Sequence, residues 1–450
     1  MLTGFSAPAS SSPTDFRHRE FGRLDRAGVA YLDYTGSALH AESQRRAIER
    51  LLREEIFGNP HSPHAASEAS TRAMERARRL TLQLLDAGDE YAVCFTANAT
   101  SAIRLVAESF AFGPAAPLLL SADNHNSVNG IREYARRRRA PVSYLPLDHE
   151  LRLENAPELL GALARQGGLF AYPAQSNFSG VRHPLSLVAA AQRLGLRVLL
   201  DAAAYVPTSS LSLRTHPADF VVLSFYKLFG LPTGVGALVA RREALAALER
   251  PWFSGGAVDY VSVALNRYAL RAGEYGFEDG TPHFLGIAAL MPGFQLREQI
   301  GIEQIAVHAS ALTGELLEGL PSITHANGAP VVRVYGPAGL QMRGATVAFN
   351  VLTPDGAVVP FEDVEARANA ERVFVRGGCF CNPGAAEAAF GFDPDAVRSA
   401  LDRLAVGFSV PKFRALLGGS AVGAVRASVG IANVPADIER LLAVVASFRR

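Results

Sequence analysis

Six short apolar runs punctuate the middle of the chain: "YAVCF" at 91–95, "PLLLS" at 117–121, "GLFAY" at 168–172, "RVLLD" at 197–201, "DFVVLS" at 219–224 and "GALVA" at 236–240. Runs of this length suit strands buried on both faces, since a half-exposed strand alternates apolar and polar side chains and a helix needs a longer repeat. Amphipathic stretches such as "SVNGIREYARRRR" and "PLSLVAAAQRLG" lie between several of them. Strand, helix, strand repetition predicts an α/β fold whose mostly parallel sheet is covered by helices on both faces. The sheet-forming part is expected to end near residue 290.

Beyond that point the pattern changes. "GIEQIAVHASALTGELLEGL" predicts a long amphipathic helix, "ATVAFNVL" a strand, and "VPADIERLLAVVASFRR" a terminal helix with Asp437 and Glu439 in its first turn. At 450 residues the chain also exceeds the ~250–300 at which single cores stop growing. The expected division is a mobile tail rich in Ala, Ser and Pro over residues 1–15, a large α/β domain over 16–292 and a smaller C-terminal α+β domain over 293–450. No internal repeat is visible.

Charge and cysteine usage exclude several classes. A formal net charge of +1 gives no steering toward nucleic acid or an anionic membrane. "RRRR" at 136–139 follows a helical stretch and precedes Pro141, which suits a solvated helix C-terminus. Cys94, Cys379 and Cys381 are too few for a disulfide scaffold and fit a reducing compartment. The N-terminus has neither the basic start nor the apolar core of a secretory signal, and no apolar run approaches the ~18 residues that span a bilayer. The expected location is the cytoplasm.

Ligands of open α/β sheets collect at the carboxyl ends of the strands. There the sequence places Lys227, three residues after the run "DFVVLS". Of 44 basic side chains only Lys227 and Lys412 are lysine, the rest being arginine, so a lysine beside an apolar run asks for a reason. Lysine can lose its proton and bond a carbonyl carbon, which arginine cannot. Asp201 ends "RVLLD", where an aspartate caps a turn or holds a buried cation. "CFTANATSAIRLVA" enters a helix near Thr100 through small residues that let backbone N–H groups approach an anion, although a Thr N-cap explains the same pattern. A lysine, a strand-end carboxylate and a phosphate cradle together suggest pyridoxal phosphate.

The run "SFYKLFGLPTGVGALVA", with "YLDYTGSALH", "NHNSVNGIREYA", "AYPAQSNFSG", "LLDAAAYVPTS", "FEDGTPHFLGI", "RGGCFCNPGAA" and "GAVRASVGIANV", resembles the class V aminotransferase family of fold-type I pyridoxal-phosphate enzymes. Within it the chain is most similar to the cysteine-desulfurase-like domain of molybdenum-cofactor sulfurases, collinearly from about Tyr31 to the C-terminus. The resemblance implies a mostly parallel seven-stranded sheet flanked by helices, with pyridoxal 5′-phosphate as cofactor. It implies that Lys227 bonds the cofactor aldehyde and shuttles the Cα proton, Asp201 pairs with the ring nitrogen, His125 stacks on the ring and Asn177 bonds its O3′. Ala99, Thr100 and Ser224 would hold the phosphate, with Thr281 reaching the phosphate of a neighbouring subunit in a homodimer. Arg426 would clamp the substrate carboxylate.

"RGGCFCNPG" is the other informative stretch. C-x-C plus a distant Cys94 supplies too few ligands for a closed zinc site, so no metal is expected. Cysteines among glycines on a loop suit a mobile nucleophile. By register with the family's cysteine-bearing loop, Cys381 is the persulfide carrier, five residues after Arg376, and Cys379 is a bystander. The implied reaction converts L-cysteine to L-alanine and passes sulfur through Cys381 to an acceptor protein or to molybdenum cofactor. Ala204 departs from the desulfurase pattern, where many relatives carry glutamine. Tyr226 stands where histidine is common, and Ala386 replaces a further cysteine. Two other readings are a related lyase or aminotransferase with Cys381 incidental, and a non-catalytic scaffold for a sulfur-carrying partner, which has no use for a Schiff-base lysine.

Overall fold

The computed structural model describes residues 12–450 except 405, 406, 408 and 420. A seven-stranded sheet is built from β1 (Tyr91–Thr96), β2 (Leu118–Ser121), β3 (Val142–Leu145), β4 (Leu169–Pro173), β5 (Arg197–Asp201), β6 (Phe220–Ser224) and β7 (Gly236–Arg241), in the spatial order β1-β7-β6-β5-β4-β2-β3. Neighbours from β6 through β3 run parallel, while β7 lies antiparallel to both β6 and β1. The six apolar runs are six of these strands. The seventh, β3, escaped notice because it is an edge strand with only Leu145 fully buried.

Each strand divides its side chains between two cores. Val93, Phe95, Phe170, Val198, Val221 and Val239 pack on one face of the sheet. Cys94, Ala171, Leu199, Phe220, Val222 and Leu238 pack on the other. Because side chains alternate along a strand, an uninterrupted apolar run is what burial on both faces requires. At the rough figure of 25 cal/mol per Å² of apolar surface removed from water, this double burial is the largest stabilising term in the large domain.

The smaller unit is a four-stranded antiparallel sheet in the order Val332–Tyr335, Thr346–Val351, Ala424–Ser428, Arg376–Gly378. The helices Ile302–Gly319 and Pro435–Ala446 pack their apolar faces against it.

Two boundaries differ from the expected division. Ser12 caps a helix over Pro13–Ala27, its hydroxyl accepting from the Asp15 amide, so residues 13–15 are helical; residues 1–11 lie outside the described residues. That helix and the segment after it belong with the small domain, although they come first in the chain. Arg17 is bonded to Asp437 at 2.6 Å with both side chains buried, Ala30–Tyr31 pairs in parallel with Val373–Phe374, and Asp33 bridges to Ser428. An ion pair and a strand bridge between chain ends leave no local pattern in sequence.

The "RRRR" segment ends a helix over Ile131–Arg137, with Arg138 at its C-cap and all four arginines exposed. A hairpin over Val258–Ser262 and Arg267–Leu270, not expected from the sequence, stands out from the large domain with Val263 94 % exposed. Among the described residues no helix is long and apolar enough to cross a membrane, and no group of His, Cys, Asp and Glu could hold a metal ion.

Candidate active site

The carboxyl ends of β5 and β6 and the loop after β1 meet at one edge of the sheet, and β7, running the other way, brings its first residue there. Gly236 lies in register with Thr96 on one side and Ser224 on the other. A Cβ on Gly236 would sit 2.5 Å from the Cα and carbonyl carbon of Asn98, so only glycine lets the strand approach the turn that starts the next helix. That helix runs Ala99–Ser109, and its N-cap is Asn98 rather than the Thr100 considered from the sequence: Asn98 Oδ1 accepts from the Ser101 amide at 2.9 Å. The amide of Ala99 donates to Ser224 Oγ at 2.9 Å, and the hydroxyls of Thr100 and Ser127 are 2.7 Å apart. Ala99, Thr100 and Ser224, distant in sequence, thus border one small polar cradle at a helix start.

Lys227 sits in the short helix Phe225–Phe229 that follows β6. Burial pushes its ammonium below the ordinary lysine range; Asp201 opposes the shift and Arg426 adds to it. His125 is likewise lowered by burial, with Asp201 pulling it up and Lys227 and Arg426 pushing it down. Its Nδ1 accepts the Ser127 amide at 3.1 Å. Lys227 and His125 each lie within electrostatic reach of Asp201 and Arg426. Asp201 Oδ1 also accepts from the Ala203 amide at 3.0 Å, so the aspartate caps its turn as well as opposing the shift of the lysine. A cavity bordered by Lys227, Ala203, Ala204 and Gln175 opens beside it, and Gln175 Nε2 donates to the Ala204 carbonyl at 2.9 Å. The alanine at 204 leaves that space to Gln175.

Arg426 comes from the central strand of the small domain and is 2 % exposed. Nη1 donates to the Asn177 carbonyl at 2.8 Å and Nη2 to Asp33 Oδ1 at 2.9 Å, leaving Nε without a partner among the described residues. The guanidinium lies 4.7 Å from the Phe380 ring centroid. Asp33 is shared with Arg376, directly opposite Arg426 across two strands. Sequence reasoning missed Asp33: only the pairing of an N-terminal segment with a C-terminal strand gives it a place.

Cys379 and Cys381 are exposed, whereas Cys94 is buried in the core, which raises its thiol far above the usual range and makes it inert. The Asn126 amide donates to the Cys381 carbonyl at 2.7 Å, and Asn177 Nδ2 to that of Phe380 at 2.7 Å. Asn177, expected to face a cofactor oxygen, therefore also holds the cysteine loop and keeps one amide hydrogen free for another acceptor. Thr281 stands apart, exposed on a loop that is anchored by buried Glu278, which bonds Arg78 at 2.7 Å and the Phe95 amide at 2.6 Å.

This donor set fits pyridoxal 5′-phosphate: an N–H and hydroxyl cradle suits the phosphate, a lysine disposed to be neutral suits the aldehyde, and a carboxylate across from it suits the ring nitrogen.

A family model described as Aminotransferase class-V matches residues 30–441. The molybdenum cofactor sulfurase of Bos taurus is 36% identical, covering 95% of this chain and 51% of that protein. That of Arabidopsis thaliana is 34% identical, covering 95% and 57%. The chain thus spans about half the length of these curated relatives. Among solved structures, the apo cysteine desulfurase of Thermococcus onnurineus NA1 is similar with a TM-score of 0.80 at 25% identity, covering 98% of both chains. The Escherichia coli cysteine desulfurase CsdA shares the fold, with a TM-score of 0.76 at 22% identity and 98% coverage of both chains. The matched span, residues 30–441, includes the cradle, the lysine and the cysteine loop and takes in both domains, and the chain belongs to the class V aminotransferase family.

Proposed function

We propose that the chain is a pyridoxal-phosphate-dependent cysteine desulfurase that converts L-cysteine to L-alanine and takes the sulfur onto Cys381 as a persulfide. The observation that carries this reading is the pairing of a buried lysine, its charge opposed by burial and faced by Asp201, with an exposed cysteine on a loop bonded to the same wall of the site.

Ala99 N, Thr100 and Ser224 would hold the phosphate, Asp201 would pair with the ring nitrogen, His125 would stack on the ring and Asn177 would bond O3′. When bound, the cofactor supplies an electron sink for the bonds at the substrate Cα. Arg426 would receive the substrate carboxylate, with Asp33 and the Asn177 carbonyl fixing the plane of its fork. Lys227, more readily neutral because it is buried, accepts the Cα proton. The Cys381 thiolate then bonds the substrate sulfur while the carbon–sulfur bond breaks, leaving alanine and a persulfide, so that one sulfur atom moves and no outside oxidant is consumed.

The subunit is read as half of a cytoplasmic homodimer in which Thr281 contacts the neighbouring phosphate. Supporting this, Thr281 is exposed on a well-anchored loop, and the adjoining hairpin exposes Tyr260, Val263, Leu265 and Tyr268. The sulfur acceptor is a carrier protein or molybdenum cofactor, the latter supported by the names of the relatives.

Incubating the purified protein with L-cysteine tests the reading. The expected products are alanine and a persulfide mapped to Cys381, and Cys381→Ala should abolish sulfur transfer while leaving cofactor binding intact. Undiminished turnover in that variant would instead favour a lyase with the thiol incidental.

A further inference from the structure

Asp123 is fully buried and accepts from side chains on two other segments of the large domain and one of the small: His183 Nε2 at 2.8 Å, Ser176 Oγ at 2.9 Å and Asn382 Nδ2 at 2.6 Å. Those three residues are each at most 1 % exposed. A carboxylate withdrawn from water is costly unless its oxygens are met by donors, and here three meet them. The other ring nitrogen of His183 has no partner among the described residues, so Asp123 is the one polar contact that orients the imidazole.

Asn382 directly follows Cys381. Its second amide hydrogen goes to Asn177 Oδ1 at 2.9 Å, and its oxygen accepts from the Ala385 amide at 3.2 Å, capping the helix Pro383–Phe390. Phe380 and Cys381 both hold φ at 55°, in the left-handed region that side-chain-bearing residues adopt only where the surroundings enforce it. Asp123 in turn lies two residues before His125 and three before Asn126, whose amide bonds the Cys381 carbonyl. One carboxylate therefore joins the segment carrying His125 to the loop carrying the thiol.

We propose that Asp123 is a positioning residue: through Asn382 it holds the Cys381 loop in the arrangement from which the thiol reaches the substrate sulfur. The inference rests on the desulfurase reading above and concerns residues that touch neither substrate nor sulfur.

Asp123→Asn turns one accepting oxygen into a donor that faces other donors. Single-turnover persulfide formation on Cys381 is expected to slow by about 10- to 100-fold, the scale of a misplaced reacting group. L-cysteine binding, followed by the visible absorbance of the bound cofactor, should stay within about twofold, because Arg426 keeps its bonds to Asp33 and the Asn177 carbonyl. In cofactor-free protein, amide hydrogen exchange should rise across residues 376–390, and beyond them only in the segments around 123–126 and 176–183 that share the carboxylate. Asn382→Ala should reproduce all three effects, and the double variant should be no slower than the slower single one.

Persulfide formation at the wild-type rate in Asp123→Asn overturns the proposal, as does an equal loss of L-cysteine binding, or losses that multiply in the double variant. If Asp123→Asn does not fold, Asn382→Ala decides by the same readouts. Failure of the wild-type protein to acquire a persulfide from L-cysteine would sink the desulfurase reading instead, and the exchange measurement would still support or refute the anchoring.

Discussion

The backbone amide of Asn126 donates to the carbonyl oxygen of Cys381 across 2.7 Å, joining the residue next to His125 to the residue expected to carry sulfur. They are more than 250 positions apart in the chain. The bond runs from the large domain to the small one, so the site exists only when the two are packed together.

Lys227→Arg keeps a cation and removes the one amine that can lose its proton here. The variant is expected to show no covalently bound cofactor and a rate lower by at least about 100-fold, the smaller end of what a positioned proton-transfer group contributes. Borohydride trapping followed by mass spectrometry of the peptide containing residue 227 checks it. A stable adduct in the variant would contradict the assignment.

Burial lowers the Lys227 ammonium, so in cofactor-free protein acylation of this amine should rise with pH at lower values than for a free lysine side chain. Asp201→Asn removes an influence that raises it, moving the midpoint further down; Arg426→Gln removes one that lowers it, moving the midpoint up. The folded state then binds fewer protons than the unfolded one between the lowered value and the ordinary one, so this residue makes stability increase with pH across that window. With Lys412 as the only other lysine, the modified peptide is readily assigned. Midpoints shifting in the same direction in both variants would refute the arrangement.

Gly236→Ala places a methyl group 2.5 Å from the Asn98 backbone, which has no side chain to swing aside. Overpacking of about 1–3 kcal/mol should displace the Ala99–Ser224 contact and weaken cofactor affinity by roughly 10-fold or more. Equilibrium dialysis of pyridoxal 5′-phosphate against the variant measures this; unchanged affinity would remove the cradle from the phosphate site.

Glu278 and Arg78 form an ion pair at 2.7 Å with side chains 8 % and 5 % exposed. Glu278→Ala leaves the arginine buried near the end of β1 and should lower unfolding stability by about 3–5 kcal/mol, read from the urea midpoint. Because the same carboxylate holds the loop before Thr281, weaker self-association should accompany the loss. A midpoint within error of the wild type would show that the pair is dispensable.

The sequence by itself determined the strands of the large sheet except the edge strand β3, because a strand buried on both faces must be apolar at every position, and that pattern is local. It also singled out Lys227 and Asp201, since few side chains can bond an aldehyde or face a ring cation and each sits beside an apolar run, whereas the choice of Cys381 over Cys379 came from the resemblance to the family's cysteine-bearing loop. Asn98, not Thr100, took the cap because the helix starts two residues earlier than a Thr100 cap would place it. Asp33, Asp123 and His183 were invisible in the string: an aspartate in a loop has no periodicity, and its partners lie 53 to nearly 400 residues away. Only the tertiary structure decided which donors each carboxylate meets, that the first helix packs with the last, and that the cysteine loop closes on the sheet. Local sequence sets backbone preference and burial, whereas hydrogen bonds between distant segments depend on how the domains are packed.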